Sequence, residues 1–159
     1  MTLDDLLARE SIRDTMARYT VAGDRLREDE FVAVFTEDAV MESEGVPAED
    51  AFRYEGRTQI RQWISRWRER PEGAAATHQA TFVRHHMSTS QIDLTSADTA
   101  RARTYWVAYT DIGPDHAGYY LDEFRKVDGQ WLIARRRVRL DWRHDNSLFR
   151  TAIAHSREA

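Results

Sequence analysis

Few residues of this chain have the type and placement to do chemistry, and Arg136 is the most informative of them. In a predicted last strand Leu132, Ala134, Val138, Leu140 and Trp142 share one face by the period of two, and Arg136 falls on that same face. A cation among apolar neighbours must be paired or must face a wet cavity. Two readings stay open: a buried salt bridge to Asp122 or Glu123 on the neighbouring strand, or a role in a ligand pocket. His85 and His86 are adjacent in another predicted strand, so they point to opposite faces and only one can enter an interior cavity. An imidazole there could move a proton at neutral pH, or could simply be structural. Asp24 stands where a long first helix ends, a position at which the macrodipole disfavours a carboxylate. Either it has a task that outweighs this, or it is a solvated loop residue paired with Arg25 or Arg27. Tyr19 continues the apolar stripe of Ile12 and Met16, so core packing is its default, although a phenol can keep its ring in the core and its hydroxyl in a cavity. Five residues from Asp24, it shares a helical face with that carboxylate only if the helix has unwound at Gly23.

The elements that must position these groups are legible. Thr2-Leu3-Asp4-Asp5 has the form of a capping box and opens a helix over about 3–22, closed by Gly23-Asp24. Phe31, Val34 and Phe35 suggest a short second helix. Ile60, Trp63, Ile64 and Trp67 recur at i, i+3, i+4, i+7 after Thr58, and Pro71 and Gly73 close that third helix. The second half then changes period. Residues 82–94, 99–111, 119–127 and 130–142 are rich in β-branched and aromatic residues. Between them lie turn signals at Ser96-Ala97-Asp98, Gly113-Pro114-Asp115 and Asp128-Gly129, the last a two-residue hairpin turn. Residues 39–43 and 52–55 make two further short strands. Short connections require antiparallel neighbours. Helices first and long strands last define an α+β fold, a curved antiparallel sheet wrapped around N-terminal helices. Asp145-Asn146-Ser147 caps a short apolar tail helix containing Leu148, Phe149, Ala152 and Ile153, which covers the mouth of the sheet or a partner subunit.

Composition narrows the function. The 159 residues form one domain, with 143–159 as a C-terminal extension. There are 0 Cys, which removes disulfides and thiolate chemistry together. A net charge of -4 argues against nucleic acid. Mean hydropathy is -0.69 and no apolar run approaches the ~20 residues of a membrane span. The acidic Met-Thr-Leu-Asp-Asp start lacks the basic-then-apolar order of a secretory leader, so a cytoplasmic protein is expected. No nucleophile elbow, phosphate loop or dinucleotide fingerprint occurs. His116 and His144-Asp145 fall in predicted turn or tail segments without a second imidazole at ligand spacing, so no metal site is expected. Trp106 on one sheet face and an Arg135, Arg137, Arg139 stripe on the other offer two surfaces, one of them a dimer contact.

Several segments in order carry a resemblance. Tyr19-Thr-Val-Ala-Gly-Asp24, Phe35-Thr-Glu-Asp-Ala-Val40, Arg84-His85-His86 and Asp98-Thr99-Ala100 leading into Tyr105 are followed by Gly118-Tyr119-Tyr120-Leu121-Asp122. Asp128-Gly129-Gln130-Trp131-Leu132-Ile133, Arg136 and Asp141-Trp142 complete the set. Together they resemble the SnoaL-like branch of the nuclear-transport-factor-2-like superfamily over about 3–142. That resemblance implies a half-closed cone with a deep apolar pocket between sheet and helices. The superfamily includes scytalone dehydratase, bile-acid 7α-dehydratase, hexachlorocyclohexane dehydrochlorinase, ketosteroid isomerase, limonene epoxide hydrolase and polyketide cyclases. It also holds non-catalytic members and the small subunits of ring-hydroxylating dioxygenases, so fold does not decide function.

The resemblance further implies a dyad. Asp24 matches the Asp of the dehydratases and dehydrochlorinases, and His85, better than His86, matches their His. Tyr19 matches a Tyr of the bile-acid dehydratases and stands where the dehydrochlorinase has a lysine, a departure from that enzyme's pattern. Asp24 would then hold the His85 N–H, His85 would remove a proton next to a carbonyl, and Tyr19 would donate to the oxyanion or departing hydroxyl. Arg136, Tyr54, Trp63, Tyr105 and Tyr120 are the expected substrate-binding residues. The expected activity is a cofactor-independent lyase or isomerase, of dehydratase or cyclase type, acting on a hydrophobic carbonyl-containing small molecule. A ligand carrier, an assembly module or a dioxygenase small subunit is the alternative. A homodimer or homotrimer is expected, with no metal, membrane or nucleic-acid partner.

Overall fold

The computed structural model describes residues 1–46, 48, 51–68 and 80–149. Helix α1 spans Leu3–Asp24 and begins with the predicted box: Thr2 Oγ1 accepts the Asp5 N–H at 3.1 Å, and Asp5 Oδ2 accepts the Thr2 N–H at 2.7 Å. Its buried stripe is Ile12, Thr15, Met16, Tyr19 and Ala22. The helix does not unwind at Gly23. It ends two residues beyond the predicted limit, with Leu26 in the left-handed region at φ 51° and the Arg27 N–H donating to the Ala22 carbonyl at 2.9 Å. Gly23 serves packing instead: a Cβ there would lie 3.3 Å from the Phe31 ring. Helix α2, Glu28–Ala33, starts and stops earlier than expected, leaving Val34 and Phe35 to the turn and to the next strand.

Six strands follow: β1 (Phe35–Ser43), β2 (Arg53–Glu55), β3 (Arg84–Leu94), β4 (Thr99–Thr110), β5 (Gly113–Val127) and β6 (Gln130–Arg143), with helix α3 (Gly56–Arg68) between β2 and β3. Pro71 and Gly73, expected to close α3, lie outside the described residues, as do Ala152 and Ile153 of the expected tail helix. The sheet order is β2-β1-β6-β5-β4-β3, curved and unclosed. It is mixed rather than wholly antiparallel, because β1 runs parallel to β6. The long stretch of chain between those two strands makes a parallel pairing possible where the short hairpin turns do not. Helix α1 crosses the inner face between β3 and β6, and Thr15 Oγ1 donates to the Trp131 carbonyl at 2.6 Å.

Bulges bend the sheet and reset its faces. Asp128 and Gly129, at φ 49° and 82°, make the tight turn predicted between β5 and β6. One extra residue then enters β6 between Ile133 and Arg135, and another between Leu140 and Trp142. The first shifts the phase, so Trp131 and Ile133 share the interior with Arg136 and Val138, in place of Leu132 and Ala134. The second turns Trp142 outward, where it is exposed. At this second bulge a Cβ on Gly118 would meet the Arg139 carbonyl oxygen at 1.9 Å, so only glycine fits. The Arg135, Arg137, Arg139 stripe does lie on the outer face and pairs with Glu42, Glu44 and Asp141. Trp106 is not a surface residue: it is 5% exposed and stacks on Tyr120 inside the sheet.

Candidate active site

Asp24, as the last residue of α1, reaches across to β3. Its Oδ1 lies 2.6 Å from His85 Nδ1, and its Oδ2 accepts the His85 backbone N–H at 2.9 Å. Two contacts from one carboxylate fix both the ring and the strand that carries it. An accepting carboxylate places the imidazole proton on Nδ1 and leaves Nε2 bare. The Asp24 side chain is 7% exposed and that of His85 27%, so the pair is held from within but open on one side. Asp24 is therefore not a solvated loop residue, and Arg27 pairs with Glu30 instead. His86 points outward against Tyr109.

The strand register builds a row around His85. His85 stands opposite Ala108 on β4, Ala108 opposite His116 on β5, and His116 opposite Arg143 on β6. With only a methyl group between them, the two imidazoles come to a centroid separation of 6.1 Å, and Trp106 lies 5.7 Å from one ring and 5.6 Å from the other. His116 has its own carboxylate: Asp115 Oδ1 is 2.7 Å from its Nδ1. Asp115 is fully buried and accepts three further hydrogen bonds, from Thr110 Oγ1 at 3.1 Å, Ser147 Oγ at 2.6 Å and the Leu148 N–H at 2.8 Å. Burial pushes the Asp115 carboxyl up, but these donors and His116 outweigh it and hold the group below the ordinary carboxylate value. Burial pushes His116 below the ordinary imidazole value, against the pull of Asp115 and with help from the nearby His85 and Arg143. Phe149 closes on His116 at 5.2 Å and on Trp67 at 6.0 Å, so the first part of the tail covers the chain's own interior.

By sequence, Gly113-Pro114-Asp115 reads as a turn and puts His116 at its end. In fact β5 begins at Gly113, and the turn is Asp111-Ile112, since Thr110 pairs with Gly113. Pro114 is tolerated beside the bulge at Ala108/Tyr109. Counting back by twos along the buried face from Phe124 through Asp122, Tyr120 and Gly118 reaches His116, and that was the available signal.

Arg136 proves to be the salt bridge: fully buried, it donates Nε to Asp122 Oδ1 at 2.8 Å and Nη2 to Oδ2 at 2.7 Å. Its guanidinium carbon lies 3.9 Å from the Tyr19 ring centroid and 4.1 Å from that of Tyr120, while its Nη1 has no protein partner among the described residues. Burial alone would lower Arg136, but Asp122 and the two rings hold it charged and raised. Tyr19 is buried among Phe31, Phe35 and Tyr120 at 4.8, 5.9 and 5.8 Å. Burial keeps both the Tyr19 and the Tyr120 phenols protonated, against the pull of Arg136. No hydrogen bond joins Tyr19 to the dyad among the described residues; Tyr120 and Trp106 stand between them.

The remaining expected pocket residues divide. Trp63 of α3 stacks on Phe31 of α2 at 5.7 Å, and Tyr54 of β2 accepts from Arg66 of α3 at 2.9 Å. Tyr105 does not line an interior pocket: it is 44% exposed on the outer face, where the β4 alternation sends it with Arg101 and Arg103. A separate polar cleft of about 340 Å³ opens on that face between Gln91, Asp93, Arg101, Arg103, Glu123 and Arg137, and the dyad takes no part in it. No three His, Asp or Glu side chains converge as a metal-ligand set among the described residues. Nor is any described helix long and apolar enough to cross a membrane.

Helices packed into a curved, open six-stranded sheet, with a carboxylate–imidazole pair at the inner face, define a cone-type α+β domain. The family model of the SnoaL-like domain matches residues 4–137, and the chain belongs to that family. Among solved structures it is similar to a candidate scytalone dehydratase of Novosphingobium aromaticivorans, at 25% identity and a TM-score of 0.72 over 100% of this chain and 95% of that one. It also resembles a hexachlorocyclohexane dehydrochlorinase of Novosphingobium barchaimii, at 18% identity and TM-score 0.70 over 89% and 92% of the two chains. The β subunit of a candidate aromatic-ring-hydroxylating dioxygenase from Novosphingobium aromaticivorans matches at 20% and 0.70 over 91% and 96%. These last two likenesses concern the fold alone. No curated protein matches.

Proposed function

We propose that the chain is a lyase of dehydratase type, in which His85 removes a proton beside the carbonyl of a hydrophobic small molecule. The observation that carries this reading is the double hold of Asp24 on His85, 2.6 Å to the ring and 2.9 Å to the backbone N–H. It leaves Nε2 as the base and puts a counter-charge where an imidazolium would form. The binding-module alternative needs those side chains apart or otherwise engaged, and the contact weighs against it. Tyr120, protonated beside the Arg136 cation and the nearer phenol to the dyad through Trp106, would serve as the donor for the developing enolate or the departing hydroxyl, with Tyr19 behind it. In such a step the C–H electron pair forms the enolate, the carbon–oxygen bond breaks at the β position, and the hydroxyl leaves as water after taking a proton.

The test is proton exchange and water loss on a panel of bicyclic ketones and β-hydroxy ketones in D2O, followed by NMR. Deuterium uptake beside the carbonyl with the wild type and its loss in His85→Gln supports the reading. Uptake that survives His85→Gln, or none across the panel, contradicts it.

A further inference from the structure

We infer that Arg66 receives a carboxylate of the bound molecule, which narrows the substrate class to hydrophobic ketones with an acidic group at the end remote from the reacting carbon. The inference deepens the proposed function and rests on it for the place of that carbon. Arg66 stands near the end of α3, and its guanidinium carbon lies over three rings, 5.3 Å from the Trp67 centroid, 5.6 Å from that of Trp63 and 5.9 Å from that of Tyr54. Its hydrogen bond among the described residues goes to a neutral acceptor, the Tyr54 hydroxyl at 2.9 Å. Arg57 and Arg61 of the same helix both meet carboxylates, those of Glu37 and, at 2.7 Å, Asp29. Glu55, next to Tyr54 in the chain, is taken by Arg53 at 2.8 Å. Arg66 thus has no counter-charge among the described residues, although acidic side chains outnumber basic ones in this chain, 27 to 23. Burial against the rings pulls its pKa below the ordinary guanidinium value, as befits a cation that has lost water and gained no anion.

The polar neighbours of Arg66 are donors as well. The Tyr54 oxygen, already accepting from Arg66, keeps its own O–H, and Trp63 Nε1 has no acceptor among the described residues. What this cluster lacks is an acceptor, and a carboxylate brings two oxygens to a guanidinium fork. The Arg66 side chain is exposed, so a ligand can reach it. A wall of rings joins it to the dyad: Trp67 lies 6.0 Å from Phe149, Phe149 5.2 Å from His116, and His116 6.1 Å from His85. A polycyclic ketone lying along this wall has its carboxylate at α3 and its carbonyl at His85. The reverse orientation would bring the ligand's anion against Asp24 and Asp115, the carboxylates that hold the two imidazoles.

The experiment uses the full chain and two probes with one skeleton, 2-naphthoate and its neutral methyl ester, their affinities measured by calorimetry. At low salt the naphthoate is expected to bind about tenfold or more tightly than the ester, as a charge-assisted hydrogen bond allows. The margin narrows as salt is added. Arg66→Gln abolishes the preference, and Arg66→Lys, which keeps the charge without the fork, retains part of it. Arg103→Gln, in the polar cleft of the outer face, leaves it unchanged. Equal affinity for the two probes is the result if Arg66 only packs on its rings, and it overturns the inference. So does a preference that survives Arg66→Gln or disappears in Arg103→Gln, or binding of neither probe. His85→Gln separates this claim from the catalytic one: it abolishes exchange on ketones and leaves the naphthoate preference intact. A preference read by Arg66 in a protein without exchange activity defeats the catalytic reading alone, and exchange without the preference defeats this inference alone.

Discussion

Replacing Asp122 by Asn tests whether the buried ion pair is the structural keystone of the sheet interior. The substitution keeps the shape and removes the charge: of the two acceptors that Arg136 meets at 2.8 and 2.7 Å, one becomes an NH2 donor, and the guanidinium stays fully buried between two tyrosine rings with no counter-charge. An uncompensated buried cation costs roughly 3–5 kcal/mol. At about 2–4 °C per kcal/mol for a chain of this length, the melting temperature should fall by roughly 6–20 °C. Asp122→Leu with Arg136→Met removes both charges at once. It gives back most of that loss, ending within about 2 kcal/mol of the wild type, because the desolvation cost disappears with the pair. Urea unfolding followed by tryptophan fluorescence measures both proteins, with equal m-values as the check that one transition is compared. A loss below about 1 kcal/mol in Asp122→Asn, or a double variant as unstable as the single one, would refute the reasoning.

Three other outcomes follow from the geometry. Gly118→Ala must displace the Arg139 carbonyl, which a Cβ would meet at 1.9 Å, so the β5–β6 bulge opens and stability falls by roughly 3 kcal/mol or more, read as a lower urea midpoint. Asp115→Ala removes the acceptor for Ser147 and for the Leu148 amide, so hydrogen exchange at Leu148 should become at least tenfold faster while α1 amides keep their protection. The pH dependence of stability has a defined sign at His116. Its folded value is held below the ordinary imidazole pKa of about 6.5, so its contribution is complete above that pH, and it is lost as pH falls because the unfolded chain takes up the proton first. Between pH 7 and 5 the wild type should therefore lose more stability than His116→Asn, measured by urea midpoints at each pH.

Much of the fold could be read from the sequence because its signals are local. The Thr2 capping box, the α3 stripe from Ile60 to Trp67 and the Asp128-Gly129 turn each depend on a few neighbouring residues, and each appears where expected. What failed depends on distant chain. The parallel β1–β6 pairing has no local signature, and the extra residues in β6 shift its faces only in relation to β5. That is why strict alternation puts Trp142 on the interior face, whereas the second bulge turns it out; Tyr105 is a different case, because the β4 alternation alone sends it outward with Arg101 and Arg103. For the site, the position of Asp24 against the helix dipole was a usable anomaly, and its explanation is the His85 N–H groups it serves. His116 was hidden by a glycine–proline pair that imitates a turn inside a strand.

The most direct test of the central claim is the turnover of Asp24→Asn on whichever ketone of the panel the wild type converts. An amide in that position keeps the shape but no longer supplies the counter-charge for an imidazolium, so the rate constant should fall by about 10²–10⁴ with an unchanged melting temperature. Turnover within a factor of about three of the wild type would mean that the carboxylate only anchors β3 to α1, and that the chemistry lies elsewhere.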